Sequence, residues 1–166
     1  MIFTDEVKDT KELIYKLVDN KKLNKIKICV ICFLFDPEGK LVLHLRGPAA
    51  RDEVGKYEAI GGSVNRKDNT FRDAMKRELI EEAGVKAKFE IGDFIGAIDN
   101  EKEDLHTGET INWIILAYKG IYEGELINME PTRCIRFEHR EMTDYKEEEL
   151  SSSCYEILKY LIDKKW

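Results

Sequence analysis

The alternation of apolar and polar residues predicts a chain whose middle consists of strands and whose ends are helical. Residues 25–35 and 109–121 are mostly apolar runs of the kind that form buried strands. Shorter extended segments are predicted at 40–46, 57–60, 87–99 and 132–137. Residues 5–22 and 147–165 instead place apolar side chains at helical spacing. The second of these is predicted either as one helix or as a short helix near 145–150 followed by a new one that begins at 151–153. Because strands and helices do not alternate regularly, this order predicts an α+β domain rather than a doubly wound sheet.

Two segments between the predicted strands have the composition of irregular structure. Asp36-Pro37-Glu38-Gly39 is typical of a tight turn, so the strands on either side of it are expected to form a hairpin. Residues 100–108 are polar and acidic and are predicted to form a loop that carries Glu101 and Glu103. This loop would present two carboxylates that lie outside the predicted helices.

A central helix is predicted between about Phe71 and Ala83, and one of its faces is acidic. Thr70 has the position of an N-cap, and Gly84 stands where a helix commonly ends on a glycine. Three glutamates within it follow one another at spacings of three and four residues and share a face, namely Glu78, Glu81 and Glu82. Since like charges at this spacing repel, a cation is expected between them. Ligand oxygens favour a hard divalent ion, Mg²⁺ first and Mn²⁺ as its substitute.

This helix and the glycines before it resemble the Nudix box, the signature of the Nudix hydrolases, which include the MutT-like enzymes. The family pattern is a glycine, five residues, a glutamate, seven residues, and then Arg-Glu-apolar-any-Glu-Glu-any-Gly-apolar. Residues 77–85 match the second half without a mismatch, and Gly62 supplies the first glycine. Counting six residues on from Gly62 gives Asp68, and counting eight back from Arg77 gives Asn69, so the loop is one residue longer and the family glutamate is replaced by Asp68 or Asn69. The resemblance implies that the shorter carboxylate of Asp68 takes over the pairing of that glutamate with Arg77, with Asp73 as a candidate helper.

The resemblance also implies a fold and a domain organisation. The Nudix fold is a mixed β-sheet sandwiched between α-helices, and residues 1–166 are expected to form one such domain. Within it, the expected parts are an N-terminal helix in 1–24, the box in 61–85 and a C-terminal helical segment in 145–165.

The residue roles that follow from the resemblance concern one metal site. Mg²⁺ is expected on Glu78, Glu81, Glu82 and the Gly61 carbonyl, while Gly62 and Gly84 shape the backbone around the box. The catalytic residues are expected to be Glu78, Arg77 and Glu81. The general base is either a box glutamate, for which Glu78 is the candidate, or a loop glutamate, Glu101 or Glu103.

The implied reaction is hydrolysis of the diphosphate linkage in a nucleoside diphosphate joined to another moiety, by attack of water activated at the metal. Arg46 and Arg51 are candidates for contacts with substrate phosphate, and Tyr57 for stacking on a base. Trp113 could stack as well, but we expect it to pack in the core. The other moiety stays open, with coenzyme A derivatives and RNA ends among the variants.

Two functions from other classes compete with this interpretation. Isopentenyl diphosphate isomerases share the fold, but they need a cysteine in the pocket. The four cysteines of this chain lie in a core-like strand, a late strand and the last helix: Cys29, Cys32, Cys134 and Cys154. A regulator that binds nucleotides without turnover is the second alternative, which the altered position at Asp68 keeps open.

Composition limits the partners and the location. A net charge of −6 argues against a dedicated nucleic-acid surface, because such surfaces need a basic patch. No apolar run is long enough to span a bilayer, and the acidic N-terminus lacks a signal-peptide core. The cysteine spacing does not suggest a disulfide framework, since residues three apart on a strand, such as Cys29 and Cys32, point to opposite faces. We therefore expect a cytoplasmic enzyme with a small-molecule nucleotide substrate, in which the N-terminal helix is a candidate contact for a homodimer.

Overall fold

In a computed structural model that describes residues 5–6, 12–13 and 26–166, seven strands form one sheet. The strands are β1 (Ile26–Phe35), β2 (Leu41–Arg46), β3 (Tyr57–Glu58), β4 (Ile60–Ser63), β5 (Ala87–Glu103), β6 (Thr110–Gly124) and β7 (Cys134–Arg140). The helices with fully described bounds are α1 (Phe71–Ala83) and α2 (Ser152–Asp163), and two 3-10 turns span Met142–Asp144 and Glu147–Glu149.

The sheet is mixed, and β1 is its centre. Strand β1 runs parallel to β6 along its whole length and antiparallel to both β2 and β4. Strand β5 extends the sheet antiparallel to β6, while β3 and β7 both pair antiparallel with β2. The hairpin predicted around residues 36–39 is confirmed by the antiparallel pairing of β1 with β2.

Helices cover both faces of this sheet, so the predicted sandwich is confirmed. Helix α1 packs Met75 and Leu79 into the core on one face, and α2 packs Ile157 and Leu161 into the core on the other. Cys32 lies in the first core and Cys29 packs against the second, which confirms that these two thiols point to opposite faces.

Helix α1 begins and ends where the sequence predicts. The Thr70 side chain accepts a hydrogen bond of 3.1 Å from the backbone N–H of Asp73, which satisfies one of the free amides of the first turn. Gly84 ends the helix with a φ of 84°, a value that L side chains rarely adopt. These two caps therefore fix where α1 begins and ends.

The predicted loop at 100–108 is wrong in its first part. Strand β5 continues to Glu103, and its last residues pair with the start of β6, ending at Glu103 opposite Thr110. Pairing across the strands satisfies the backbone of a polar segment that has no apolar pattern of its own, so composition alone misplaces the boundary.

The expected N-terminal helix in 5–22 lies largely outside the described residues, and so does the homodimer contact proposed for it. Two described residues show where this part of the chain touches the domain. Leu13 is fully buried in the core beneath α1, and the Glu6 carboxylate accepts a 2.7 Å hydrogen bond from Arg72 on α1. Glu6 and Leu13 therefore both lie on the α1 side of the sheet.

Candidate active site

A cavity of about 320 Å³ lies between α1, the sheet and the loop at 47–56. One wall is formed by α1 and by the glycines of β4, and it carries Glu78, Glu81 and Glu82. A second group of lining residues, here called the inner wall, consists of Asp52, Glu58, Lys102 and Trp113. The three box glutamates line this one cavity together, as their helical spacing predicts.

The glycines of β4 allow the sheet and α1 to approach each other closely. A Cβ on Gly61 would lie 2.0 Å from the carbonyl oxygen of Val30 on the neighbouring strand. A Cβ on Gly62 would lie 2.3 Å from Oε2 of Glu78. The N–H of Gly61 also donates a hydrogen bond to Glu82. Only glycine fits at these two positions without displacing the backbone or the acidic side chain.

Arg77 organises the carboxylates on this wall. Its Nη1 donates to Glu78 at 2.6 Å and to Glu81 at 3.1 Å, and its Nη2 also donates to the Ser63 carbonyl at 2.9 Å. Its Nε and Nη2 bind both oxygens of Asp68, at 3.0 and 2.9 Å. This bidentate pair lowers the pKa of Asp68, chiefly through the Arg77 hydrogen bonds. Asp68 therefore pairs with Arg77 through both of its carboxylate oxygens.

The charge on the α1 wall is only partly balanced. Burial, followed by the carboxylates of Glu130 and Glu78, raises the pKa of Glu82 well above its usual range. Burial also raises the pKa of Glu78, although Arg77 counteracts it. His44 contacts Glu82 at 3.6 Å, but burial and then Arg46 lower the pKa of His44 to about 3. At neutral pH the imidazole is uncharged, so this contact is not an ion pair.

The donor set of this wall suits a hard divalent cation, because it consists of carboxylate and carbonyl oxygens. Among the described residues, no three carboxylate, imidazole or thiolate groups converge on one point at metal-binding distance. The Nη1 of Arg77 donates to both Glu78 and Glu81 and so bridges these two carboxylates. The residues fit the metal by their chemistry and by the unbalanced charge around Glu82.

On the inner wall, each acidic side chain has a lysine or a hydrogen-bond donor beside it. Lys102 Nζ lies 2.5 Å from Glu53 and 3.7 Å from Asp52, and it also donates to Ser153 at 3.4 Å. Burial alone would raise the pKa of Glu53, but the bond to Lys102 outweighs it and the pKa is lowered. Glu58, which is buried, accepts hydrogen bonds from the hydroxyls of Ser153 and Ser151 at the start of α2.

The comparisons with known proteins agree with this architecture. The sequence model of the NUDIX domain matches residues 25–159. The chain belongs to the NUDIX domain family. No curated protein sequence matches it significantly. This family assignment makes the chain a Nudix-type pyrophosphohydrolase.

Solved structures share the fold at low sequence identity. A MutT protein from Methanosarcina mazei Go1 is 19% identical, with a TM-score of 0.71 over 87% of this chain and 99% of that chain. A MutT Nudix hydrolase from Burkholderia pseudomallei is 19% identical, with a TM-score of 0.64 over 83% and 99%. The Nudix domain of Shewanella oneidensis NrtR, complexed with ADP ribose, is 14% identical, with a TM-score of 0.60 over 95% and 100%.

The structure brings only some of the sequence-predicted substrate residues into the Nudix cavity. Arg46 and Arg51 line it, and Arg46 is held by the carbonyl and carboxylate oxygens of Asp52 at 2.9 and 2.8 Å. Tyr57 does not line it. Its buried ring packs against Tyr145, with centroids 5.7 Å apart, and under the guanidinium of Arg140 at 5.0 Å. Tyr57 thus belongs to a packed cluster on the other side of β3.

The two loop glutamates predicted as alternative bases also lie outside the cavity. Glu101 and Glu103 are exposed, whereas Lys102 between them lines the inner wall. The reason is that successive side chains of a strand point to opposite faces, and this segment is part of β5.

Glu130 is a functional candidate that the sequence did not indicate. It lines the cavity next to Glu78 and Glu82, on the segment between β6 and β7. This segment is fixed to the end of α1, because Ile127 N–H donates to the Ala83 carbonyl at 2.9 Å and Met129 N–H to the Glu82 carbonyl at 3.1 Å. The only sequence signal was an acidic residue in a polar stretch, which is common on any surface.

Two of the four cysteines lie at the cavity, contrary to the prediction from the sequence. Cys29 and Cys134 line the Nudix cavity, although both were assigned to strands away from a pocket. Burial raises the pKa of each of these thiols to about 12, so both are neutral at physiological pH. Among the described residues, all four cysteines are free.

Proposed function

We propose that this Nudix domain hydrolyses the diphosphate linkage of a nucleoside diphosphate joined to another moiety, with Mg²⁺ or Mn²⁺ as cofactor. The observation that carries the proposal is the unbalanced carboxylate wall of α1, which lines a cavity of about 320 Å³ and in which the pKa of Glu82 is raised. A wall with excess negative charge does not attract a diphosphate by itself. With a divalent cation added, it becomes a binding site for phosphate oxygens.

The residues that would hold the metal are Glu78, Glu81, Glu82 and the Gly61 carbonyl. When bound, a divalent cation neutralises phosphate oxygens and makes a water molecule more acidic. Glu130 is a fourth carboxylate on the same side of the cavity and is available to either role.

The proton of the attacking water goes to a carboxylate of this wall. We assign it to Glu78, because its raised pKa brings it closer to the operating pH and Arg77 holds one of its oxygens at 2.6 Å. The water oxygen then bonds to phosphorus while the bridging oxygen leaves with the other phosphate. Arg77 acts as a positioning residue, since it fixes Glu78 and Glu81 and is itself fixed by Asp68.

Further support comes from the structural neighbours and from the described cysteines. The neighbour NrtR was solved with ADP ribose, which is a diphosphate with a nucleoside on one side. This supports a small-molecule nucleotide as the partner of this chain. The described helices include none that is long and apolar enough to cross a membrane. Free thiols at all four described cysteines support the cytoplasmic location that we propose.

The test is phosphate release from a panel of nucleotides with Mg²⁺, with Mn²⁺ and with EDTA. The panel holds ADP-ribose, NADH, coenzyme A, diadenosine polyphosphates, nucleoside triphosphates and nucleotide sugars. We expect metal-dependent hydrolysis of at least one, lost in Glu82→Gln and unchanged in Glu103→Gln, which is exposed on the outer face of β5. Nucleotide binding without turnover on any substrate would favour the regulator instead.

The isomerase alternative is kept by the position of Cys29 and Cys134 in the cavity. An isomerase would convert isopentenyl diphosphate and lose activity in Cys29→Ser or in Cys134→Ser. The hydrolase should show no such conversion and should keep most of its turnover in Cys29→Ser, with Cys154→Ser as the control for a buried thiol outside the cavity.

A further inference from the structure

On the inner wall of the cavity, the guanidinium of Arg51 lies over the indole ring of Trp113. The Arg51 guanidinium carbon lies 5.9 Å from the centroid of the Trp113 ring, and both residues line the cavity. That distance is at the outer limit of about 6 Å for a cation–π contact. The Arg51 side chain is therefore positioned over the ring without being tightly packed on it.

The backbone beneath Arg51 is fixed while its side chain reaches over the ring. The Leu105 N–H donates to the Arg51 carbonyl at 2.8 Å. The next residue, Asp52, is held by the guanidinium of Arg46 at 2.8 Å. The loop thus presents one long cationic side chain to Trp113 from a rigid base, which is how a planar group can be held between the two.

The charge and the size of the cavity define what fits there. The acids of the inner wall are matched by Lys102 and Arg46, so this end suits an uncharged polar group rather than a phosphate. A volume of about 320 Å³ is near the lower end of the usual range for ligand pockets, about 300–1,000 Å³. There is space for one nucleoside and its first phosphate, and a second large group must lie outside.

We propose that Arg51 and Trp113 form a clamp for a single nucleobase, with the attached phosphate directed to the carboxylates of α1. The moiety beyond the scissile bond then lies at the mouth, near Arg133, which is 57% exposed. The proposal rests on the proposed function, and it assigns Arg51 to the base rather than to the phosphate expected from the sequence. It selects substrates with an aromatic base over diphosphates of aliphatic groups.

The experiment uses the fluorescence of Trp113 in the full chain. The sequence contains two tryptophans, Trp113 and Trp166, so Trp166→Phe leaves Trp113 as the sole reporter. The probes are AMP, GMP, CMP and UMP in EDTA, with ribose 5-phosphate and pyrophosphate as probes without a base. We expect the nucleotides to change the emission of Trp113 and the two base-free probes to leave it unchanged.

The variants separate a clamp from general packing. In Arg51→Ala we expect nucleotide affinity to fall about tenfold, which is within the range for losing one base-stacking contact. The matched control is Lys27→Ala, because Lys27 is exposed and lies 5.7 Å from the same ring but does not line the cavity. Affinity in the control should stay within about twofold of the parent. Trp113→Leu should bind weakly by calorimetry, and Trp113→Phe should restore binding.

Several outcomes would overturn the clamp. These are equal affinity for AMP and ribose 5-phosphate, equal losses in Arg51→Ala and Lys27→Ala, or full binding by a folded Trp113→Leu protein. None of these measurements needs metal or turnover, so the clamp can fail while hydrolysis is found. Conversely, the clamp can be confirmed while the nucleotide panel shows no hydrolysis.

Discussion

The two walls of the cavity both carry buried acids, but neighbouring cations and donors neutralise these acids on only one of the walls. On the α1 wall, Glu82 is buried beside Glu78 and Glu130, and its pKa is raised. On the inner wall, Lys102 bonds to Glu53, a half-buried acid that does not itself line the cavity, and the pKa of Glu53 is lowered. The inner wall is therefore balanced and stabilises the fold, whereas the α1 wall carries negative charge that the fold does not neutralise.

This difference indicates which wall is shaped by function. A buried carboxylate surrounded by others costs stability, and a chain selected only for folding would pair or replace it. Groups with pKa values perturbed in this direction cluster at sites that bind cations or transfer protons. The comparison predicts that the same type of substitution has opposite consequences on the two walls.

The largest effect is expected at Glu82. In Glu82→Gln we expect kcat for the best substrate to fall about 10²–10³-fold, the usual cost of removing one group that stabilises the transition state. In EDTA the same variant should be more stable than the wild type at neutral pH. The reason is that the pKa of Glu82 is higher in the folded than in the unfolded protein. The contribution of Glu82 to stability is therefore fully present below its unfolded-state pKa and is lost as the pH rises through its folded-state pKa.

The measurements for Glu82 are phosphate release and urea unfolding in EDTA. The control is Glu81→Gln on the same helix, where the side chain is 55% exposed. It should lower turnover but change the free energy of unfolding by less than about 0.5 kcal/mol. If Glu82→Gln destabilises the metal-free protein, the contrast between the walls is wrong.

The second effect is expected on the inner wall, at Lys102. Lys102→Met keeps much of the side-chain volume but leaves Glu53 without its ion pair and removes a positive charge near Asp52 and Glu58, so that Asp52 retains Arg46 alone. We expect the free energy of unfolding to fall by about 3 kcal/mol, as when one partner of a buried pair is removed. Urea denaturation at pH 7 measures this loss.

A matched surface pair controls for the loss of a lysine. Lys86 and Glu125 lie 3.7 Å apart with side chains 64% and 70% exposed. Lys86→Met should change stability by less than about 1 kcal/mol, because exposed pairs contribute little. Equal effects of the two substitutions would mean that the inner wall is not a buried ion-pair network.

A smaller effect is expected at Asp68, which connects Arg77 to the loop before α1. Asp68→Asn should cost about 2 kcal/mol at pH 7, since it weakens hydrogen bonds to a charged group. Because Arg77 lowers the pKa of Asp68, its contribution is present above the unfolded value of about 3.9 and is lost as pH falls through the lower folded value. The difference between wild type and variant should therefore vanish in strong acid.

Urea denaturation of both proteins between pH 2 and pH 7 tests this, with each midpoint converted to a free energy. Asp73→Asn on the first turn of α1 is the control, since the sequence interpretation also considered Asp73 as a helper in this loop. A difference between wild type and Asp68→Asn that persists at the lowest pH would show that the effect does not come from the ionised pair with Arg77.

The α1 wall could be predicted from the sequence because its information is local. Three glutamates, an arginine and two caps lie within one helix, and helical periodicity fixes their common face. The same holds for Gly61 and Gly62, which immediately precede the box. The bidentate contact of Arg77 with Asp68 spans only nine residues, so counting along the chain was sufficient to find it.

The inner wall could not be predicted in this way because its partners are distant in sequence. Glu53 bonds to Lys102 and to the backbone of Ser152, and Glu58 bonds to Ser151 and Ser153. Taken singly in the sequence, each of these residues resembles an ordinary polar residue of a protein surface. The alternation Glu101-Lys102-Glu103 at the end of β5 does predict that Lys102 points to the opposite face from the two glutamates. That prediction holds only for a strand, and the sequence had indicated a loop there.

The smallest effect is expected at the two glutamates that flank Lys102, and it tests the alternation directly. Glu101→Gln and Glu103→Gln should each change kcat and KM by less than about twofold, as expected for exposed side chains outside the cavity. Glu130→Gln, in contrast, should lower kcat at least tenfold, because it removes a carboxylate beside Glu78 and Glu82. Steady-state kinetics with the best nucleotide from the panel, over a range of Mg²⁺ concentrations, separates a loss of metal affinity from a loss of base catalysis.

If Glu101→Gln or Glu103→Gln lowers kcat as far as Glu130→Gln does, the end of β5 must turn inward during turnover. The general base would then be sought there rather than on α1.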